Sequence, residues 1–396
     1  ASDDEIARMA ALVAEGLRAG AVGFSTSRTK LHLAADGSAV AGSFADEREL
    51  HGIAGALRDT GRGVFQMVSD FQEPGAEFAW LRRLALQTRV PAHYVLVQYP
   101  ETPGKWRTLL QLTEAAVREG AALSALVGCR PVGMVINLDS RHHPFSEHLS
   151  YRRIAALPLA ERLQKMREPA FRAQLLAESP SGGNPWWRER MAQFENLYRL
   201  GDPPDYEPEP ERSIAAIAAR EAREPEEVVY DYLVAGDGGD WLYFPLFNYA
   251  DASFEPLLAM LQHPNSLLSL ADGGAHCGLI CDASAPTYLL THWVRDRERG
   301  PRLPLAQAVA LQTGRTAAAY GLHDRGRLVA GLRADLNVID FDNLKLDVPS
   351  WVHDLPANGR RLMQKARGYD ATICAGQVTW RHGEATGALP GRVIRH

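Results

Sequence analysis

The sequence predicts an α/β fold, and three observations carry that prediction. Helical segments with an apolar stripe alternate with short strands at the period of βα units, the strands are uniformly apolar, and a different texture of half-buried strands begins only near Asp324. A helix opens the chain, with Ser2 as cap, Asp3, Asp4 and Glu5 in its first turn and Ile6, Met9, Leu12, Val13 and Leu17 on one face. Gly20 then introduces an apolar run through Ala21–Ser27. The unit repeats: a helix from Asp46 to Arg58 leads to a strand at 63–70, one from Ala76 to Thr88 to a strand at 91–98, and one from Trp106 to Glu119 to a strand at 122–127. Strands that are apolar on both faces are buried parallel strands, so a doubly wound sheet or a barrel is expected.

The alternation lapses at about 137–240, where charged helices (Leu157 to Arg167, Glu211 to Arg223) are joined by Pro-rich and Gly-rich links such as Gly201-Asp202-Pro203-Pro204-Asp205. This stretch is expected to be a lid-like insertion over one end of the body. The βα pattern resumes with a strand at 241–246, a helix from Phe254 to Leu261 and a strand at 266–270. Partly alternating runs at Ala334–Asp340 and Ala371–Trp380 then predict half-buried antiparallel strands, so the expected division is 1–323 for the α/β body and 324–396 for a small β unit.

A chain of 396 residues, 46% of them hydrophobic, can bury a large core. Its 43 basic and 48 acidic residues are interspersed, which gives no single-sign field to draw it onto nucleic acid or anionic lipid. Small molecules are therefore the expected partners, and a homo-oligomer is left open. Four cysteines in so long a chain point to a reducing, cytoplasmic setting. No apolar run approaches the roughly 20 residues that span a bilayer, and no basic-then-apolar leader stands at the start.

Asp272 is the leading candidate for chemistry. It follows an apolar strand and precedes Gly273-Gly274, which puts its carboxylate at the carboxyl end of that strand, where α/β barrels place catalytic groups. A carboxylate there can take a proton from water or bind a metal; the plainer alternative is a helix cap beside a glycine turn. His276, four residues on, can orient substrate or donate to an oxyanion. Arg130, just past a strand, is placed to clamp a substrate carboxylate or to pair structurally. Ser25, Ser27, Arg28 and His32 supply hydroxyls, a cation and an imidazole after the first strand. Cys277 with Cys281 is a weak metal signal, His142 and His143 point to opposite faces if extended, and Asp282 reads as a helix cap. No Gly-x-Ser-x-Gly, Walker-type, His-Glu-x-x-His or Gly-x-Gly-x-x-Gly motif occurs.

Taken in order, Gly20-Ala21-Val22-Gly23-Phe24-Ser25-Thr26-Ser27-Arg28-Thr29, Ala271-Asp272-Gly273-Gly274-Ala275-His276, the run from Asp324 to Leu336, His353-Asp354-Leu355-Pro356 and Gly387-Ala388-Leu389-Pro390-Gly391-Arg392 resemble the D-aminoacylase branch of the amidohydrolase superfamily across nearly the whole chain. The resemblance implies a (β/α)8 TIM-type barrel carrying a β-sandwich. It implies hydrolysis of a non-peptide carbon–nitrogen bond in an N-acyl amino acid or related amide by metal-activated water, with Asp272 as metal ligand and proton shuttle. Zinc is the implied cofactor, one ion rather than two. The family's His-x-His pair does not occur in this chain, and the strands that in many relatives carry further histidines end in Met67-Val68-Ser69-Asp70 and Val97-Gln98. The expectation is therefore that the chain begins mid-fold, after the first strands and half of the sandwich. Residues 1 to 396 alone are then expected to show little hydrolase turnover. The alternatives are a ligand-binding barrel without catalysis and another amidohydrolase reaction, such as opening a cyclic imide.

Overall fold

The computed structural model describes residues 1–182, 185–269, 271–272 and 276–395. Helix α1 (Asp3–Ala19) is fixed at its start by a capping box, Ser2 accepting from the Glu5 N–H while Glu5 accepts from the Ser2 N–H, and is closed by Gly20 at φ 108°. It lies against α2 (Glu47–Thr60), and Gly52 permits the close approach, since a Cβ there would sit 2.3 Å from Ile6 Cγ2.

Strands β1 (Gly23–Arg28), β2 (Val64–Ser69), β3 (Ala92–Val95) and β4 (Leu123–Val127) pair in parallel in that order. Helices α3 (Pro74–Thr88) and α4 (Lys105–Arg118) cover one face. On that face Phe65 meets Trp80 edge-on at 6.4 Å, and Tyr94 meets Phe71 and Phe78 at 5.3 and 5.9 Å. All four predicted strands and the helices between them form within a few residues of their expected bounds, because the pattern there switches cleanly between the helical and extended periods.

The next strands are β5 (Val132–Ile136), β6 (Tyr198–Arg199), β7 (Leu242–Phe247) and β8 (Ser266–Leu268). Strand β8 joins the parallel sheet beside β4, so among the described residues that sheet has the order β1-β2-β3-β4-β8, with β1 and β8 at its edges. Strand β7 corrects one expectation. It forms where predicted, but antiparallel to β5 and β6 in a separate sheet of order β5-β7-β6. The reason is that β7 is covered on both faces: Tyr243 enters the main core while Leu242 and Phe244 enter a second one, so it reads as apolar as a parallel strand does.

That second core belongs to the stretch expected as an insertion. Met134, Ile136, Phe145, Met166, Tyr230 and Phe244 meet in it, apart from the main core. The charged helices expected there form at Leu159–Met166 and Ile214–Glu221, the second starting late because Ser213 is its cap, accepting from the Ala216 N–H at 3.2 Å. Toward the C-terminus, strands Leu336–Ile339, Tyr369–Cys374, Gln377–Arg381 and Glu384–Ala385 make a four-stranded antiparallel sheet. The run predicted at 371–380 folds as a hairpin about Ala375 and Gly376, both at positive φ, as a two-residue hairpin turn requires. No helix among the described residues is long and apolar enough to cross a membrane.

Two histidines are folded in as neutral rings. His93 on β3 is 3% exposed, its ring 5.4 Å from that of Tyr320, and burial pushes its pKa down to about 4 against the opposing pull of the Ala319 backbone. Burial first, then the neighbouring Arg162, push His143 down to about 3. Both folded-state values lie below the ordinary 6.5, so the unfolded chain binds protons that the folded chain refuses, and stability falls as pH drops below about 6.5. Each histidine contributes a slope of at most about 1.4 kcal/mol per pH unit. Urea midpoints are expected to fall between pH 7 and pH 5, and less so in His93→Leu; an identical acid slope in that variant would remove His93 from the account.

Candidate functional site

Because β4 and β8 are neighbours, with Val127 paired to Leu268, the segments that leave their carboxyl ends run side by side. Arg130 follows β4 and Asp272 follows β8. Arg130 is 4% exposed, and its guanidinium lies 4.3 Å from the Tyr206 ring centroid and 6.0 Å from that of Tyr288. It donates to Ser284 Oγ at 3.1 Å, to Asp282 Oδ1 at 3.2 Å and to the Cys281 carbonyl. Its donors are thus directed into the 281–284 turn rather than toward solvent.

The same turn is held from two further directions. Ser284 Oγ donates to Gln364 Oε1 at 2.5 Å, and the Tyr206 hydroxyl donates to the same oxygen at 3.1 Å. Upstream, the Leu362 N–H donates to the Cys277 carbonyl at 2.7 Å, and the Val135 N–H to the Leu279 carbonyl at 2.8 Å. The loop after β8 is therefore fastened to β5, to Arg130 and to the strand Gly359–Met363. Asp282 differs from its expected capping role. It opens a short 3-10 turn (Asp282–Ser284), and its carboxylate pairs with Arg130.

Asp272 itself is exposed and makes no hydrogen bond or ion pair with a described residue. Its negative charge is felt at Asp282, whose pKa lies above the usual carboxylate range: burial raises it first, Arg130 pulls it back, and Asp272 raises it again. The buried cation thus answers Asp282, on which Asp272 acts only at a distance. His276 is exposed, at φ 50°, and its carbonyl accepts from Leu279 and Ile280. Gly273, Gly274 and Ala275 lie outside the described residues.

The residues expected near β1 sit at the opposite edge of the sheet, four strand spacings or roughly 19 Å away along it. Ser27 Oγ and His32 Nδ1 are 2.6 Å apart. Arg28 turns toward the helices, donating to Glu77 Oε1 at 2.6 Å and to the Ala45 carbonyl at 2.7 Å, with Trp80 at 5.3 Å. Ser25 lies on the other face. Strand register aligns it there with Gln66, His93 and Ser124, a polar row across the face that α3 and α4 do not cover. The structure puts Arg130 and Asp272 after neighbouring strands without a contact between them, and leaves Ser25, Ser27, Arg28 and His32 at the other edge of the sheet.

Reading the sequence missed this polar row, Asp282 as a partner of Arg130, and the supporting Tyr206 and Gln364. A titratable His93 inside the apolar run at 91–98 was a visible signal. The row was not, because it exists only once the register of three strands is known.

A metal centre needs several ligands around one point. Among the described residues no group of three or more His, Cys, Asp or Glu side chains could hold an ion, and the one charged neighbour felt at Asp282 from the β8 loop is another carboxylate. These residues do not by themselves fit a metal centre.

The amidohydrolase family model matches residues 1–380. A D-aminoacylase of Alcaligenes xylosoxydans xylosoxydans is 36% identical over 106 residues, a stretch making up 27% of this chain and 19% of that relative. Two solved structures are similar in fold. One concerns the functional role of the binuclear metal centre in D-aminoacylase, with TM-score 0.56 and 19% identity; the other presents D-aminoacylase as defining a novel subset of amidohydrolases, with TM-score 0.55 and 20% identity. Both cover 100% of this chain, which spans 67% of theirs.

The Arg130 network makes a sharp mutational contrast. Arg130→Met leaves Asp282 buried without its cation and is expected to cost about 3–5 kcal/mol of stability, the usual result of breaking a buried pair. Asp272→Asn, at an exposed position, is expected to stay within about 0.5 kcal/mol. Urea unfolding followed by circular dichroism checks both, and equal effects would show that Arg130 does not anchor the loop.

Proposed function

Since the chain belongs to the amidohydrolase family and has the fold of D-aminoacylase over its length, we propose that the intact gene product hydrolyses a non-peptide carbon–nitrogen bond, that of an N-acyl amino acid or closely related amide. The observation that carries this reading is the position of Asp272, an exposed carboxylate leaving the carboxyl end of β8 beside the fastened 276–284 loop. In this reading Asp272 takes the proton from the attacking water and passes it to the leaving nitrogen. Arg130 is a positioning residue: it holds Asp282 and the turn, and so the charge that Asp272 faces. His276 is assigned to the substrate side of the loop. Ser25, Ser27 and His32 are assigned to a more distant substrate-contacting edge, which Arg28 supports through Glu77 rather than by contact with substrate.

Zinc with Asp272 as one ligand, as a single ion, is part of the same proposal for the intact protein, and the described residues do not assemble its ligands. The division into a body of residues 1–323, with its insertion at 137–240, and a β portion at 324–396 is proposed likewise. It draws support from the separate core around Tyr230 and Phe244 and the antiparallel sheet of the last strands. A cytoplasmic setting is proposed from Cys129, Cys277, Cys281 and Cys374, all of them unpaired.

One observation favours a second reading, a barrel that binds its ligand without hydrolysing it. The face opposite the helices carries Ser25, Gln66, His93 and Ser124 in one row, with Ser25 exposed and His93 covered by Tyr320. Release of free amino acid from N-acyl amino acids of both hands, measured on the intact gene product, separates the two. Asp272→Asn is expected to lower turnover by about 10²–10⁴-fold, the range for loss of a general base. Undiminished turnover in that variant would remove Asp272 from the mechanism, and binding without turnover in the wild type would favour the second reading.

A further inference from the structure

An N-acyl amino acid carries a carboxylate, and the two arginines named from the sequence are committed elsewhere. Arg130 is spent on the 281–284 turn, and Arg28 on Glu77 and the Ala45 carbonyl. Lys105 is held differently. It opens α4, the helix that follows β3, and its Nζ donates at 2.7 Å to the carbonyl of Asp70, the residue just after β2. The same atom lies 4.0 Å from the Tyr99 ring centroid, so the ring covers one side of the charge. An ammonium has three donors, and this one makes a single hydrogen bond with a described residue and no ion pair with one.

Nothing in α4 relieves that charge. The first turn of the helix holds no acid, and a cation at a helix's positive end is disfavoured. Burial of the half-covered side chain lowers the Lys105 pKa, while Asp70 and Glu101 act in the other direction without pairing with it. Glu101 is itself paired with Arg190 at 2.8 Å. A fixed, partly desolvated cation of this kind is matched by an anion that arrives from outside.

Its place in the sheet says which anion. The order β1-β2-β3-β4-β8 puts the ends of β2 and β3 between Asp272, after β8, and Ser27 and His32 at the β1 edge. A substrate extending from Asp272 toward that edge passes Lys105. From β8 to β3 is two strand spacings, or roughly 10 Å. A water about 2.8 Å from Asp272, the attacked carbon about 3 Å beyond it and one residue length of about 3.8 Å to the carboxylate bridge about that distance.

We propose that Lys105 receives the carboxylate of the N-acyl amino acid, with Tyr99 as the wall beside it and the Asp70 carbonyl as the bond that aims it. This role rests on the proposed substrate class and narrows it, to acids rather than their neutral amides. An ammonium is a compact point charge, so it selects the sign of the group it meets and leaves the amino-acid side chain to other contacts.

N-acetylleucine of each hand and the matching N-acetylleucinamide, in which a neutral carboxamide replaces the carboxylate, test this on the intact gene product. Release of leucine or leucinamide gives kcat and KM, and calorimetry gives Kd. The acid is expected to be preferred by at least about tenfold in kcat/KM. Lys105→Met is expected to bring that ratio close to one, chiefly through KM, and Lys105→Arg to keep part of it. Equal handling of acid and amide by the wild type, an undiminished ratio in Lys105→Met, or the same loss on both substrates overturns the role; the last is what a lysine that only braces Asp70 would give. Acid-selective binding that Lys105→Met abolishes, in a wild type without turnover, keeps the role and removes the hydrolase reading. Turnover without preference for the acid does the reverse, and neither turnover nor binding of the acid removes both.

Discussion

A guanidinium cannot be buried unless its charge and its donors are answered, and the answer given to Arg130 organises the region around Asp272. Two aromatic rings, one carboxylate, one hydroxyl and one carbonyl surround it. All but Tyr206 come from residues 281–288, and the groups are themselves held. Tyr206 is adjacent to Glu207, which is 4% exposed and paired with Arg297 at 3.0 Å and His292 at 2.7 Å. Gln364 takes hydrogen bonds from both Tyr206 and Ser284 and donates to the Asp347 carbonyl at 2.9 Å. One buried charge thereby ties the end of β4, the insertion, the loop after β8 and the C-terminal strands to a common point.

The electrostatic result is an asymmetric pair of carboxylates. Asp282 is largely covered and paired with Arg130, whereas Asp272 is exposed and pairs with no described residue. Two carboxyl groups in unlike surroundings are the common arrangement for moving a proton, because environment rather than residue type separates their tasks. In the proposed hydrolysis the pair needs no contact with the β1 edge. Arg28 is committed to Glu77 and Ala45, so that edge contributes mainly Ser25, Ser27 and His32.

Legibility in the sequence followed the range of the interactions. The first four strands and helices were readable because each depends on its own periodicity, from the Ser2–Glu5 box through Leu17 to the apolar run of β2. The place of Asp272 just after a strand was readable because a strand, an acid and two glycines stand in a row. The role of Asp282 was not, since its partner Arg130 is 152 residues away and nothing local distinguishes a capping acid from a paired one. Strand β7 shows the same limit from the other side: its composition states that it is buried on both faces and is silent on which strands lie beside it.

The ribbon β5-β7-β6 has a consequence of its own. Val135 and Tyr243 enter one core, and Met134, Ile136, Leu242 and Phe244 enter the other, so a single pleated sheet serves as a party wall between two hydrophobic rooms. Side chains alternate strictly across such a wall, and a slip of one residue would send every tenant next door. Both rooms therefore check the register of β5. The Val135 N–H, which grips the Leu279 carbonyl in the loop after β8, transmits that register to the loop as a fixed length rather than as a spring. The same wall thus joins the core around Phe145 and Tyr230 to the segment that follows Asp272.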